Sequence, residues 1–145
     1  MATITILNGP NLNLLGQREP DVYGHQSLDD IEAMCRDHAA ALDMEVDFRQ
    51  SNHEGVLIDW VHEARRVADG LICNFGGLSH TSISLHDALR ALEIPIIEVH
   101  LSNIHAREAF REHSLTAQAS TGAILGLGAE GYRLALTAMA ELVDG

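Results

Sequence analysis

An α/β fold around a five-stranded parallel sheet is predicted by three observations. Short apolar runs alternate with segments of helical period along the chain, and strands separated by helices run parallel with both faces covered. Polar clusters follow the strands, as in sheets whose ligands sit beyond the C-terminal strand ends. The 145 residues show no internal repeat, low-complexity tract or linker, which predicts one domain over residues 1–145. Right-handed crossovers leave few topologies, and the doubly wound, flavodoxin-like three-layer arrangement with strand order 2-1-3-4-5 is the one expected.

Ala2–Leu7 reads as the first strand. A polar connection follows from Asn8 to Gly24, where about two to six residues is usual in α/β units. It carries three Asn, Arg18 and Tyr23 between Gly and Pro positions. A loop that long either works or is disordered, and Leu12, Leu14 and Leu15 argue for a working loop tethered to a core. Ser27 opens the first helix as its N-cap, with Asp29 and Asp30 in the first turn. Ile31, Met34, Cys35, His38 and Leu42 share one face of it. Glu45–Arg49 is the second strand, and Val56, Ile58, Val61, Ala64, Val67 and Ala68 mark a second helix. Gly70–Cys73 and Ser82–Leu92 are the third strand and helix. Pro95 precedes the fourth strand, Ile96–Val99. Ile104–Phe110 predicts a short helix, Thr121–Leu125 a fifth strand, and Ala129–Leu142 a closing helix after the turn glycines Gly126 and Gly128.

Composition narrows the chemistry. The formal net charge of -12 argues against nucleic acid and anionic membranes as partners, which call for basic stripes. A small anionic substrate remains compatible if a few arginines are focused in one cleft. All nine basic residues are arginine, so imine chemistry on a lysine amine and a P-loop are both excluded. Cys35 and Cys73 show no CxxC spacing and read as reduced core thiols of a cytoplasmic protein. The N-terminus lacks a basic region and Thr3–Leu7 is too short to span a bilayer, so neither a secretory signal nor a membrane segment is expected.

With the order 2-1-3-4-5, the sheet reverses between strands 1 and 3, and three polar clusters converge there. Asn8, Asn11 and the long loop follow strand 1, Asn74 to Ser82 follow strand 3, and His100 to Asn103 follow strand 4. The Asn74–Ser82 run is either a Gly-containing anion cradle or a plain Gly turn with a Ser or Thr N-cap. Ser102 either binds a carboxylate together with the amides that follow it or, with Asn103, only caps the short helix. Glu98 and His100 lie two apart on a strand and face the same side. A carboxylate beside a histidine favours the imidazolium and fixes its tautomer, which suits a general acid; a surface pair without a role has the same spacing. Tyr23 shares the long loop with Arg18. A phenol is a base at neutral pH only where a cation stabilises its phenolate, and Arg18 and Arg111 are the candidates; otherwise Tyr23 packs over the loop edge. His53-Glu54 begins like HExxH, but Leu57 stands where the second His belongs. His100, His105 and His113 match no common metal-ligand spacing, so no metal is expected.

Several long motifs, in order, carry a resemblance. They are Asn8-Gly9-Pro10-Asn11-Leu12-Asn13-Leu14-Leu15-Gly16, Arg18-Glu19-Pro20, Tyr23-Gly24, Gln50-Ser51-Asn52-His53-Glu54-Gly55, His80-Thr81-Ser82, and Glu98-Val99-His100-Leu101-Ser102-Asn103-Ile104-His105-Ala106-Arg107. With Gly126-Leu127-Gly128 and Gly131-Tyr132 they closely resemble type II 3-dehydroquinate dehydratase, nearly end to end. The resemblance implies a hydro-lyase without cofactor, metal or imine. It would remove water from 3-dehydroquinate by trans elimination through an enolate, giving 3-dehydroshikimate in the shikimate pathway or in quinate catabolism. It implies Tyr23 as the base at C2, favoured as phenolate by Arg18, and Asn11 as the enolate's stabiliser through a water. His100, oriented by Glu98, would protonate the departing C1 hydroxyl. Leu101 and Ser102 would hold the substrate carboxylate, and Asn74, His80 and Arg111 the ring hydroxyls. Asp87 would reach a neighbouring subunit's site in a homododecamer, a tetramer of trimers, and the segment around Arg18–Tyr23 would be a mobile lid.

Two stretches depart from the family's usual pattern. After strand 3, Phe75, Gly77, Leu78 and Ser79 stand where Pro, Ala, Tyr and Thr are usual, and the missing Pro with Gly77 is expected to loosen the turn. Leu115–Thr121 also departs from the pattern, beside strand 5. A diverged, non-catalytic binding module is the alternative, against which Asn11, Arg18, Tyr23, His80, His100 and Arg111 all speak. An FMN binder is a third reading, but three Phe, two Tyr and one Trp leave few aromatics to flank a flavin.

Overall fold

Parallel pairing sets five strands side by side in the order β2-β1-β3-β4-β5 in this computed structural model, which describes residues 1–144. They are β1 (Ala2–Asn8), β2 (Met44–Gln50), β3 (Gly70–Asn74), β4 (Ile96–His100) and β5 (Gly122–Leu125). The expected order is borne out, and every strand bound falls within one residue of its predicted place. The small differences matter for the site. Four strands run one residue further than predicted at their C-terminal ends, so Asn8, Gln50, Asn74 and His100 are the last rungs of ladders rather than loop residues. Asn8 is in register with Gln50 on one side and Asn74 on the other, and His100 with Leu125. Ladder pairing therefore fixes the backbones that present these side chains.

The helices are α1 (Pro20–Tyr23), α2 (Leu28–Ala41), α3 (Glu54–Val67), α4 (Leu78–Thr81), α5 (Ile83–Arg90) and α6 (Glu130–Asp144). Side chains alternate across a strand, so each strand feeds two cores. Ile4, Ile6, Val46, Ile72, Ile97 and Val99 pack with Ile31 and Cys35 of α2 and Tyr132 and Leu136 of α6. Leu7, Leu71, Cys73 and Ile96 point to the other face and meet Leu57 and Val61 of α3 and Leu85 and Leu89 of α5. Each such side chain contributes about 1.5–3 kcal/mol by leaving water. Both thiols are free and buried, and burial pushes Cys35 up to about 12.

Local signals explain most boundaries. Ser27 and Asp30 form a reciprocal capping box at the start of α2, as the sequence suggests. Ser82 caps α5 by accepting from the Leu85 amide at 2.9 Å, so the Gly turn with a Ser N-cap is the alternative adopted. The turn before it is not loosened as expected. Phe75 is fully buried against α3 and α5, and Leu78, Ser79 and His80 donate to the carbonyls of Phe75, Gly76 and Gly77, so α4 forms as one helical turn. An apolar anchor thus replaces the stiffness a proline would supply. The helix predicted over Ile104–Phe110 is instead two 3-10 turns, Ile104–Ala106 and Ala109–Arg111, separated by Arg107 in an extended conformation. Leu12 and Leu15 tether the long loop, whereas Leu14 is exposed.

One close approach decides the geometry where β1 and β3 end. The Gly9 amide donates to the Asn74 carbonyl at 2.8 Å, and a Cβ on Gly9 would lie 2.5 Å from the Phe75 carbonyl oxygen. Backbone fills that space, so no rotamer change relieves the clash. Gly9→Ala should therefore cost about 1–3 kcal/mol, an overpacking penalty. A fall in the urea midpoint with an unchanged denaturant slope would show it; a midpoint equal to the parent's would contradict it.

Candidate active site

The ends of β1, β3 and β4 open onto a cleft of about 560 Å³. Asn11, Arg18 and Tyr23 come to it from the long loop, and Asn74, Gly76, Gly77 and His80 from the end of β3 and α4. His100, Leu101 and Ser102 come from the end of β4, and Arg107 and Arg111 from the irregular segment beyond. Nine of the eleven expected site residues thus line one cleft. Glu98 lies directly behind His100, and only Asp87 is elsewhere, exposed on α5 beside His86. Three arginines converge in a chain of net charge -12, the focused cationic cleft that a small anion requires.

His100 and Glu98 are both buried, and His100 Nε2 donates to Glu98 Oε2 at 2.8 Å. The other ring nitrogen, Nδ1, makes no hydrogen bond among the described residues. Glu98 also accepts from Ser114 Oγ at 2.6 Å and, on its second oxygen, from the Thr116 hydroxyl. Burial pushes the Glu98 carboxyl up, but the hydrogen bonds from His100, Ser114 and Thr116 outweigh it and hold the group below the usual carboxylate range. The pair is therefore built around an ionised carboxylate.

His80 stacks on His100, with ring centroids 5.9 Å apart. Its Nδ1 lies 2.9 Å from the His113 carbonyl, which can only accept, so Nδ1 carries the hydrogen. Burial holds His80 below the usual histidine value, and His100 and Arg111 add to the effect against the opposing backbone hydrogen bond. Near neutral pH its Nε2 is then a bare acceptor, suited to a hydroxyl donor.

Tyr23 sits between two cations. The Arg18 guanidinium carbon is 4.9 Å from its ring centroid and that of Arg107 is 5.1 Å away. Arg111, a candidate for this place, instead binds Glu108 through Nε at 2.5 Å. Arg107 also donates to Ser102 Oγ at 3.3 Å. Asn103 caps the following turn by accepting from the His105 amide, which leaves Ser102 free of capping. Asn11 adopts a left-handed backbone, φ 72°, with its amide donating to Asn52 Oδ1 at 2.9 Å. Asn74 Nδ2 donates to Tyr132 Oη at 3.0 Å, Tyr132 donates to Asn8 Oδ1 at 2.6 Å, and Asn8 Nδ2 donates to the Arg49 carbonyl. That buried chain fixes which way the Asn74 amide faces.

Residues 2–140 match the family described as Dehydroquinase class II. The chain belongs to the class II dehydroquinase family. It is 59% identical over 139 residues to the 3-dehydroquinate dehydratase of Rhodopseudomonas palustris (strain BisA53), covering 95% of this chain and 92% of that one. It is 60% identical over 139 residues to the enzyme of the same name from Chelativorans sp. (strain BNC1), covering 95% and 96%. The crystal structure of a type II dehydroquinase from Propionibacterium acnes superposes with a TM-score of 0.95 at 42% identity, covering 97% of each chain. The resemblance read from the motifs is borne out.

Within this dehydroquinase fold, four residues outside the expected set also support the site. Ser114 and Thr116 lie in irregular chain, where no periodicity assigns a direction, whereas Arg107 and Tyr132 fall within the motifs that carry the resemblance but were given no role there. Among the described residues, no group of three or more His, Cys, Asp and Glu side chains converges as a metal site does.

His80 and Glu98 both titrate below their ordinary values, so the unfolded chain takes up protons first as pH falls. Stability should decline below about pH 6.5, where the unfolded chain's histidines begin to protonate, and again below about pH 4.5 as carboxylates do. Urea midpoints between pH 7.5 and 4 test this. His80→Gln should flatten the upper decline relative to the parent, and Glu98→Gln the lower. Profiles parallel to the parent's would refute the assignment.

Proposed function

We propose that the protein removes water from 3-dehydroquinate to give 3-dehydroshikimate, a hydro-lyase reaction run by side chains and backbone alone. The observation that carries this reading is one cleft holding a phenol flanked by two guanidinium groups and an imidazole backed by a buried carboxylate. Such a site supplies a base and an acid at separate positions, as elimination of water from a β-hydroxy ketone demands. The relatives' shared name supports the choice of substrate.

On this reading the chemistry runs in two steps. The Tyr23 phenolate, stabilised by Arg18 and Arg107, takes the C2 proton, and the C2–H electrons move into the carbonyl to form an enolate. Asn11 stabilises the developing oxyanion through a water. The enolate then collapses, the C1–O bond breaks, and His100 gives its Nδ1 proton to the departing hydroxyl, so that water leaves. Glu98 holds the ring through Nε2 and offsets the imidazolium charge. Leu101 and Ser102 bind the substrate carboxylate, partly through backbone amides, and Asn74, His80 and Arg111 bind the ring hydroxyls. Base and acid on opposite faces of the ring give trans elimination.

Asp87, exposed and away from its own cleft, suits a role in a neighbouring subunit's site within a homododecamer built as a tetramer of trimers. Mass in solution tests that assembly. The same reaction serves the shikimate pathway and quinate catabolism. No helix among the described residues is long and apolar enough to cross a membrane, which accords with a cytoplasmic enzyme.

A conjugated-enone absorbance should appear when 3-dehydroquinate is added to micromolar protein; none from folded protein would sink the reading and leave a binding module. Tyr23→Phe keeps the ring but removes the proton acceptor. It should lower kcat at least about 10²–10⁴-fold, the share of a positioned base, while a carboxylate ligand such as shikimate still binds. Turnover retained in that variant would remove Tyr23 as the base.

A further inference from the structure

The segment from His113 to Thr116 has no regular structure, yet it touches the site at four points. The His113 carbonyl accepts from His80, the Leu115 amide donates to the Ser79 carbonyl at 2.7 Å, and the Ser114 and Thr116 hydroxyls both donate to Glu98. The segment is braced in turn. Ser114 Oγ accepts from the Ala117 amide, and the Thr116 carbonyl accepts from the Ser120 hydroxyl at 2.9 Å. Thr116 is fully buried, so its hydroxyl has no water to turn to.

We propose that Thr116 is a positioning residue for the acid, its hydroxyl clamping the far oxygen of Glu98 so that the near oxygen holds the His100 ring in one orientation. The inference rests on the reading of His100 as the acid. A carboxylate with one bound oxygen rotates about its last bond; with donors on both oxygens it is locked. Ser114 and His100 share Oε2, so Oε1 depends on Thr116 alone among the described residues. The other titratable groups around Glu98 are the Cys73 thiol across from it on β3 and His80 beyond His100. Neither donates to Oε1, so neither replaces the clamp. The depressed titration of Glu98, to which Thr116 contributes, agrees with this geometry.

The test pairs Thr116→Val, which keeps the shape and loses the hydroxyl, with Thr116→Ser, which keeps the hydroxyl. Losing one hydrogen bond to a charged group should lower kcat about tenfold or more while KM stays within about twofold, and Ser should restore kcat to within about threefold. In substrate-free protein carrying ¹⁵N-histidine, the His100 Nε2–H signal should shift or broaden in Thr116→Val, while the His80 signal, held by a backbone carbonyl, stays put. An unchanged His100 signal, a loss confined to KM, or no rescue by Ser overturns the proposal. If the parent protein fails to convert 3-dehydroquinate, the dehydratase reading falls, and the nuclear resonance comparison decides the clamp on its own. Should Thr116→Val not fold, Thr116→Ala, which also removes the hydroxyl on Oε1, is read in the same way.

Discussion

A carboxylate buried inside a parallel sheet is the constraint on which the site depends. Glu98 points from β4 into the layer otherwise filled by Cys73, Leu71 and Ile96. Leaving an ion there uncompensated costs several kcal/mol. Three donors reach it, one from its own strand and two from a segment sixteen and eighteen residues on. Charge-assisted hydrogen bonds of this kind contribute about 1.5–3 kcal/mol each, which is the scale needed to keep the group ionised. The chain between β4 and β5 must therefore return beneath the sheet's rim, and a regular helix across that span would not place Ser114 and Thr116 there. Local irregularity is the consequence of satisfying one charge.

The same logic ties the rim together on its other side. Asn8 and Asn74 end adjacent strands in register, and their amides sit too deep for water. Tyr132, from a helix that begins more than fifty residues after β3, donates to one and accepts from the other. Burial pushes its phenol well up, so it remains a neutral donor and acceptor. The two tyrosines of the chain thus have opposite environments. Tyr132 is dry and free of cations, whereas Tyr23 lies against two guanidinium groups.

These contrasts explain what was legible in the sequence. Apolar runs and caps placed the strands, because period and burial are local signals, and the handedness of crossovers narrowed their order. The convergence of Asn11, Asn74, His80 and His100 followed from strand order alone. The second cation beside Tyr23 did not follow in this way. Arg111, one residue beyond the helix expected over Ile104–Phe110, was the candidate with Arg18, and Arg107 was given no role. The chain breaks into two 3-10 turns at Arg107, which sends one guanidinium to Tyr23 and the other to Glu108. Ser114 and Thr116 were hidden for a related reason. A hydroxyl in irregular chain has no periodicity to give it a direction, and its partner is set by tertiary return rather than by neighbours.

The placement of Tyr23 carries a last consequence. Helix α1 has four residues and buries none of them, and helices so short have no stability of their own. It starts after Glu19 in the left-handed region, φ 40°, and ends at Gly24, φ 89°. A left-handed non-glycine residue costs about 1–2 kcal/mol, so the turn is held against strain at its entrance. The contacts set against that strain include those of Tyr23 with Arg18 and Arg107, the latter anchored in turn on Ser102 at the end of β4. The two guanidinium groups beside the Tyr23 ring are then part of what holds the turn in place. In a segment of such low local stability, the helical turn and the contacts of Tyr23 with its two guanidinium groups support one another.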